Sequence, residues 1–185
     1  METKQHIRKL ILAERQKCSS AFIESASRKI TERVLSLDEF KQAESLLVYL
    51  SYRNEAMTRY LIEEAWRMGK TAAAPKVCGQ RMDFYKIRSF DEVSPGFRGI
   101  PEPTATDDKG PFCPENALVI MPGAVFDRQR HRIGYGGGYY DRFLSKHPDM
   151  TKLAVAFDFQ VQDRIPVNEY DISADLIVTE RQIYR

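Results

Sequence analysis

Five short apolar runs constrain the fold most strongly: ESLLVYLS (44–51), TAAAPKV (71–77), ALVIMPG (117–123), KLAVAFDF (152–159) and DLIVTE (175–180). Each is too short for a buried helix and almost continuously apolar, the pattern of a strand covered on both faces. RMDFYKI (81–87) alternates apolar and polar residues, which predicts a half-exposed strand. Helical segments stand between and around these runs. Residues 3–36 read as helical, with Ile7, Leu10 and Ile11 as an apolar stripe among Lys4, Arg8, Lys9, Arg15 and Lys17. Ser19 or Ser20 is placed to cap a second helix carrying Phe22, Ile23, Ile30 and Val34. MTRYLIEEAWRMGK (57–70) predicts a helix capped by Thr58 and stopped by Gly69, and another helix is expected from Tyr139 to Lys146. Strands alternating with helices in this way predict an α/β fold with a mostly parallel central sheet and helices on both faces. The chain of 185 residues, without repeat or linker, suits one domain over 1–185. Residues 90–116, rich in Pro and Gly, read as a long irregular loop of the kind that carries function.

Charge and cysteine usage narrow the function classes. Lys plus Arg number 28 against 26 acids, a net charge of +2, so only local basic patches could attract an anion. Neither nucleic acid nor membrane is an expected partner. The N-terminus, METKQHIRKL, is charged and does not read as a signal peptide, and no apolar run approaches the length of a membrane span. Cys18, Cys78 and Cys113 are far apart, as are His6, His131 and His147, so neither a disulfide framework nor a zinc site is predicted. A monomer in the cytoplasm is the expectation.

One segment stands out chemically. In RIGYGGGYYDRFL (132–144), Gly134, Gly136, Gly137 and Gly138 lie among Tyr135, Tyr139 and Tyr140, with Asp141 following. It lacks the Gly-Lys-Ser/Thr ending of a P-loop. It also has Tyr139 where the dinucleotide fingerprint wants a third glycine. The underlying physics still applies: glycine backbone N–H groups form an anion cradle, and a helix N-terminus aims at it. Arg128, Arg130 and Arg132 add charge upstream, and Asp141 beside bound phosphates is a natural magnesium ligand. A plain hairpin and helix cap would use the same glycines. Two further alternatives stand at this stage. One is a sugar-phosphate isomerase or CoA-transferase relative, which needs a glutamate base and no ATP. The other is a nucleotide- or RNA-binding module stacking bases on the tyrosines.

The longer run MPGAVFDRQRHRIGYGGGYYDRFL (121–144) resembles the signature of the 5-formyltetrahydrofolate cyclo-ligases, also called 5,10-methenyltetrahydrofolate synthetases. The family shares Pro-Gly-x-x-Phe-Asp, then Arg-Leu/Ile-Gly, then a glycine segment ending Gly-Tyr-Tyr-Asp. The resemblance extends to Lys4-x-x-x-Arg8, LSYRNE (50–55), GIPEP (99–103) and PVNEYD (166–171). It implies an ATP-dependent enzyme that converts 5-formyltetrahydrofolate to 5,10-methenyltetrahydrofolate with magnesium as cofactor. It implies ATP contacts from Lys4, Arg8, Arg132, Ile133, Gly134, Tyr135, Gly136, Gly137, Gly138, Tyr139 and Tyr140. Folate contacts are implied for Leu50, Glu55 and the stretch Tyr135–Tyr139, magnesium ligation for Asp141 and Asp171, and catalytic roles for Arg132 and Tyr139. Phe97, Ile100 and Glu102 would form a flap near the folate, and Lys76 would reach phosphate or the folate's glutamate tail. The chain departs from the family where many members have Gly-Asn and this one has Arg130-His131. With no cation inside the glycine segment, Arg130 and Arg132 become the candidates for phosphate charge.

Overall fold

The structure, a computed structural model, describes residues 3–104 and 110–185. In chain order it contains α1 (Lys4–Gln16), α2 (Ser20–Ser36), α3 (Asp38–Gln42), β1 (Ser45–Val48), α4 (Arg59–Arg67), β2 (Thr71–Cys78) and β3 (Arg81–Ile87). There follow β4 (Val93–Pro95), β5 (Pro101–Pro103), β6 (Ala117–Met121), β7 (Val125–Asp127), β8 (Arg132–Ile133) and α5 (Tyr139–Leu144). The chain ends with β9 (Thr151–Val155), β10 (Val161–Gln162), β11 (Leu176–Val178) and β12 (Ile183–Tyr184). A seven-stranded sheet runs in the order β12-β11-β9-β6-β1-β2-β3. The pairs β11/β9, β9/β6, β6/β1 and β1/β2 are parallel; both edge strands are antiparallel.

Every residue of β1, β6 and β11 is buried, so both faces of the sheet are covered. Helices α2 and α4 pack together with β11 and β2, while Phe84 of β3 meets Phe143 (5.0 Å between ring centroids) and Tyr140 (6.3 Å) of α5. A second, smaller sheet, β10-β7-β8, carries α1 through an apolar cluster of Ile11, Val125, Ile133 and Ile165. That contact corrects the expected stripe on α1: Leu10 is 52% exposed, and Leu12 packs there with Ile7 and Ile11.

Other expectations also shift. Ser19, rather than Ser20, caps α2 by accepting the Phe22 N–H at 3.2 Å. Thr58 precedes α4 but makes no capping bond; its hydroxyl donates to the Tyr49 carbonyl at 2.7 Å and accepts the Ser51 N–H at 3.2 Å, bracing the loop after β1. Helix α5 ends at Leu144, short of Lys146. The proline-rich segment is more ordered than expected: β4 and β5 form an antiparallel hairpin, although residues 105–109 of that segment lie outside the described residues.

Candidate active site

A cavity of about 850 Å³ opens where the loops leave β1 and β6, beside the C-terminal half of β2. The carboxyl ends of parallel strands are where ligands bind in open α/β sheets. Helix α1 forms one wall, the glycine segment 134–138 another, and the β4–β5 hairpin a third. The fold thereby brings together residues far apart in sequence: Lys4 and Arg8, Leu50 and Glu55, Arg132 through Asp141, and Asp171 all line this one space.

One region of the wall is strongly charged. Lys4 is ion-paired with Asp171, which also accepts the Asn168 N–H at 2.6 Å. Arg8 Nε donates to the Gly134 carbonyl at 2.8 Å. Arg132, whose side chain is 5% exposed, donates through Nη2 to Asp141 Oδ1 at 2.8 Å, and the same oxygen accepts the Ile172 N–H at 3.2 Å. The buried Arg132 Nε has no partner among the described residues. Asp141 stands in the first turn of α5, where the helix N-terminus favours a carboxylate. The two carboxylates therefore face one cavity, each held now by a cation; no cluster of three or more His, Cys, Asp or Glu with metal-binding geometry exists among the described residues.

The glycines make room first for the chain itself. A Cβ at Gly137 would lie 2.6 Å from Tyr139 Cε2, and one at Gly134 would lie 2.6 Å from Arg132 Nη1. Side chains at these two positions would push a ring and a guanidinium that both line the cavity. Tyr139 is held at its rim by a hydroxyl bond to the Gly79 carbonyl (3.4 Å), by an edge contact with Phe97 (6.4 Å) and by Arg142 over its ring (5.0 Å).

Further along the wall lies a second polar group. The Tyr135 hydroxyl donates to Glu55 Oε1 and accepts from Arg15 Nη1 at 2.7 Å, while Glu55 Oε2 accepts the Tyr52 N–H at 2.9 Å. Burial raises the Glu55 pKa above the ordinary carboxylate range, with the Tyr135 and Tyr52 bonds and the Arg15 charge opposing the shift. Burial, reinforced by the Glu55 charge, likewise pushes the Tyr135 hydroxyl up. Tyr140 is raised by burial as well, and its hydroxyl has no partner among the described residues.

Several placements correct or extend the sequence reading. Lys76 does not line the cavity: its ammonium donates to the Pro103 carbonyl at 2.9 Å and fastens the flap hairpin. Arg130 is also outside. It occupies the left-handed region (φ 70°) in the β7–β8 turn, where a glycine would be unstrained. The buried Asp127 carboxylate organises that turn by accepting from Gln129 N (3.0 Å), His131 N (2.9 Å) and Ile165 N (3.2 Å) and by pairing with His131 Nδ1 (2.9 Å). Phe97, Ile100 and Glu102 do line the cavity, and Glu102 Oε1 accepts the Val77 N–H at 3.2 Å. Arg15 was missed, although its spacing from Lys4 and Arg8 puts it on their helix face.

Comparison with known proteins agrees with this geometry. Residues 1–180 match the model of the 5-formyltetrahydrofolate cyclo-ligase family. A probable 5-formyltetrahydrofolate cyclo-ligase of Schizosaccharomyces pombe is 28% identical over 98% of this chain and 97% of its own length. The Escherichia coli K12 5-formyltetrahydrofolate cyclo-ligase is 30% identical over 82% of this chain and 86% of its own. The NMR structure of Aquifex aeolicus 5,10-methenyltetrahydrofolate synthetase superposes with a TM-score of 0.85 at 33% identity, covering 98% of this chain and 92% of that one. This chain belongs to the 5-formyltetrahydrofolate cyclo-ligase family.

Proposed function

We infer that this enzyme closes 5-formyltetrahydrofolate to 5,10-methenyltetrahydrofolate, with ATP converted to ADP and phosphate, in the cavity bounded by α1, the glycine segment and the flap. The observation that carries the reading is the meeting of two unlike groups in one space. One is a cationic, glycine-backed cradle suited to phosphates, and the other is a glutamate–tyrosine pair suited to a pterin. The formyl oxygen is a poor leaving group, which explains the need for ATP. That oxygen attacks the γ-phosphorus, ADP leaves, and the formyl carbon becomes an activated iminium phosphate. N10 then attacks this carbon, inorganic phosphate departs with the former formyl oxygen, and N10 gives up its proton. Such chemistry asks the protein chiefly for positioning and charge neutralisation.

In this reading Lys4, Arg8 and Arg132 bind the ATP phosphates, together with backbone N–H groups of Ile133 through Tyr140. Arg132, already buried and with its Nε–H unpaired among the described residues, neutralises charge on the transferring phosphoryl group. The Tyr139 ring borders the reacting formyl group. Leu50, Glu55 and the stretch from Tyr135 to Tyr139 contact the folate, Glu55 accepting from the pterin's amino and ring N–H groups. Asp141 and Asp171 are the residues that would hold magnesium. Two carboxylates beside a phosphate cradle fit that ion, which keeps several waters and takes its remaining ligands from substrate phosphates. When bound it neutralises charge on the phosphate oxygens. Lys4 and Arg132, now paired with those carboxylates, are placed to turn toward phosphate instead.

The reading includes a monomer working in the cytoplasm on small molecules, without nucleic acid or membrane. No helix among the described residues is long and apolar enough to cross a membrane. The test is to mix the protein with ATP, magnesium and 5-formyltetrahydrofolate and follow the near-ultraviolet band of the methenyl product. Folded protein that gives no band would overturn the reading.

A further inference from the structure

A guanidinium buried beside a substrate cavity needs a partner, and Arg15, 8% exposed, finds it in a tyrosine. Arg15 shares a helix face with Lys4 and Arg8 and lies about 10 Å further along α1 than Arg8. Lys4 and Arg8 meet Asp171 and the Gly134 carbonyl. Arg15 meets the Tyr135 hydroxyl instead, through Nη1 at 2.7 Å. It thereby brings a cation to a glycine segment that has none of its own. Asn54, the neighbour of Glu55, donates from Nδ2 to the Arg15 carbonyl at 3.3 Å, near the end of α1. The loop that carries Glu55 is thus fastened to the helix that carries Arg15.

The Arg15 contact sets the direction of the next bond. A guanidinium can only donate, and a phenol has one proton. With its oxygen accepting from Arg15, the Tyr135 hydroxyl gives its proton to Glu55 Oε1, while Oε2 accepts the Tyr52 N–H at 2.9 Å. Each carboxylate oxygen keeps capacity for one more donor. A pterin offers two adjacent N–H groups, one on its exocyclic amino group and one on the ring. An ionised carboxylate turned edge-on matches both; a protonated one has a single good acceptor left.

Charge points the same way. Burial raises the Glu55 pKa, and the Arg15 charge opposes that shift. The other ionisable groups around this carboxyl are Tyr49 at the end of β1, Tyr135 in the glycine segment and Tyr140 in α5. Burial pushes all three hydroxyls upward, so they stay neutral, and Arg15 is the positive charge that acts on Glu55. We propose that Arg15 is a positioning residue for the folate: through the Tyr135 hydroxyl it keeps Glu55 ionised and turned so that both carboxylate oxygens accept from the pterin. The proposal rests on the ring-closing reading above, which sets the pterin against Glu55.

The test measures folate and ATP kinetics for wild type, Arg15→Gln, Arg15→Lys and Tyr135→Phe. Loss of a charge-assisted bond should raise the 5-formyltetrahydrofolate KM of Arg15→Gln by roughly tenfold, with kcat and the ATP KM little changed. The acid limb of its folate kcat/KM, followed from about pH 8 down to about pH 5.5, should move to higher pH than in wild type, because a carboxyl without the cation protonates earlier. Arg15→Lys keeps the charge and can make the one bond that Nη1 makes, so its acid limb should stay near that of wild type. In a Tyr135→Phe background, Arg15→Gln should add less than about twofold, since the two act in series. An unchanged folate KM in Arg15→Gln overturns the assignment. So does an unmoved acid limb, which would mark a structural role, or full additivity with Tyr135→Phe. An ATP KM that rises as much as the folate KM would make Arg15 a phosphate ligand and overturn it too. If wild type turns over no folate at all, the ring-closing reading falls first and the positioning role falls with it.

Discussion

Replacing Gly137 by alanine puts one methyl group where the structure has no space for it. The new Cβ would stand 2.6 and 2.7 Å from Cε2 and Cδ2 of Tyr139. The backbone at this position lies outside the left-handed region, so the substitution itself carries no conformational strain. Alanine would even gain about 0.4–1 kcal/mol by restricting the unfolded chain. Against that, overpacking costs about 1–3 kcal/mol. The Tyr139 ring is not free to yield, since Gly79, Phe97 and Arg142 hold it from other sides. The net expectation is a loss of about 1–2 kcal/mol. For a chain of this size it lowers Tm by about 2–8 °C. On the proposed reading, in which the displaced ring borders the folate, KM for 5-formyltetrahydrofolate should rise more than KM for ATP. Thermal melts and steady-state kinetics give both numbers, and a Gly137→Ala/Tyr139→Leu double variant should recover much of the lost stability, since the two sites are coupled. An unchanged or raised Tm with an unchanged folate KM would refute the argument that this glycine exists to admit the ring.

Glu55→Gln should flatten the pH dependence of stability. The folded carboxyl has a pKa above its ordinary value of 4.5, so wild type is favoured below that value and loses stability as pH rises through the folded value. Urea midpoints at pH 5 and pH 8 should diverge less in the variant, whose folate KM should nonetheless rise; parallel midpoints would contradict this. Asp141→Asn keeps an acceptor for Arg132 and Ile172 but should raise the magnesium needed for half-maximal turnover by at least the roughly tenfold that even an outer partner costs; an unchanged requirement removes the aspartate from the metal site. Arg8→Ala removes a charged donor to the Gly134 carbonyl and should raise the ATP KM by about tenfold or more, with an unaltered ATP KM counting against its role. Arg130→Gly should stabilise the β7–β8 turn by about 0.5–1 kcal/mol, because left-handed strain of about 1–2 kcal/mol is relieved and part is returned as unfolded-chain entropy. A lower Tm would mean that the Arg130 side chain supports the turn after all.

What the sequence made legible follows from chain-local physics. The strands β1 and β6 were visible because burial on both faces requires unbroken apolar runs. The two-residue β12 and the five-residue α3 carry too few residues for any periodicity, and only their neighbours define them. The β4–β5 hairpin was hidden because prolines at positions 95, 101 and 103 read as loop, although they sit in a ribbon that is two-stranded among the described residues. Within the site, the glycine segment announced itself, but its meaning changed: the space opened at Gly134 and Gly137 is filled first by Arg132 and Tyr139 of the same chain. Arg15 lay in plain view on the face of Lys4 and Arg8, yet only the fold sets it against Tyr135. Lys76 and Arg130 had the right charge at promising positions, and the fold spends both elsewhere.

The central claim is that the γ-phosphoryl group passes directly to the formyl oxygen inside this cavity. Oxygen labelling tests it most directly. With 5-formyltetrahydrofolate carrying ¹⁸O in the formyl group, turnover with unlabelled ATP in unlabelled water should release inorganic phosphate containing one ¹⁸O per methenyl product formed. Phosphate released without the label, at the same yield of methenyl product, would contradict the account.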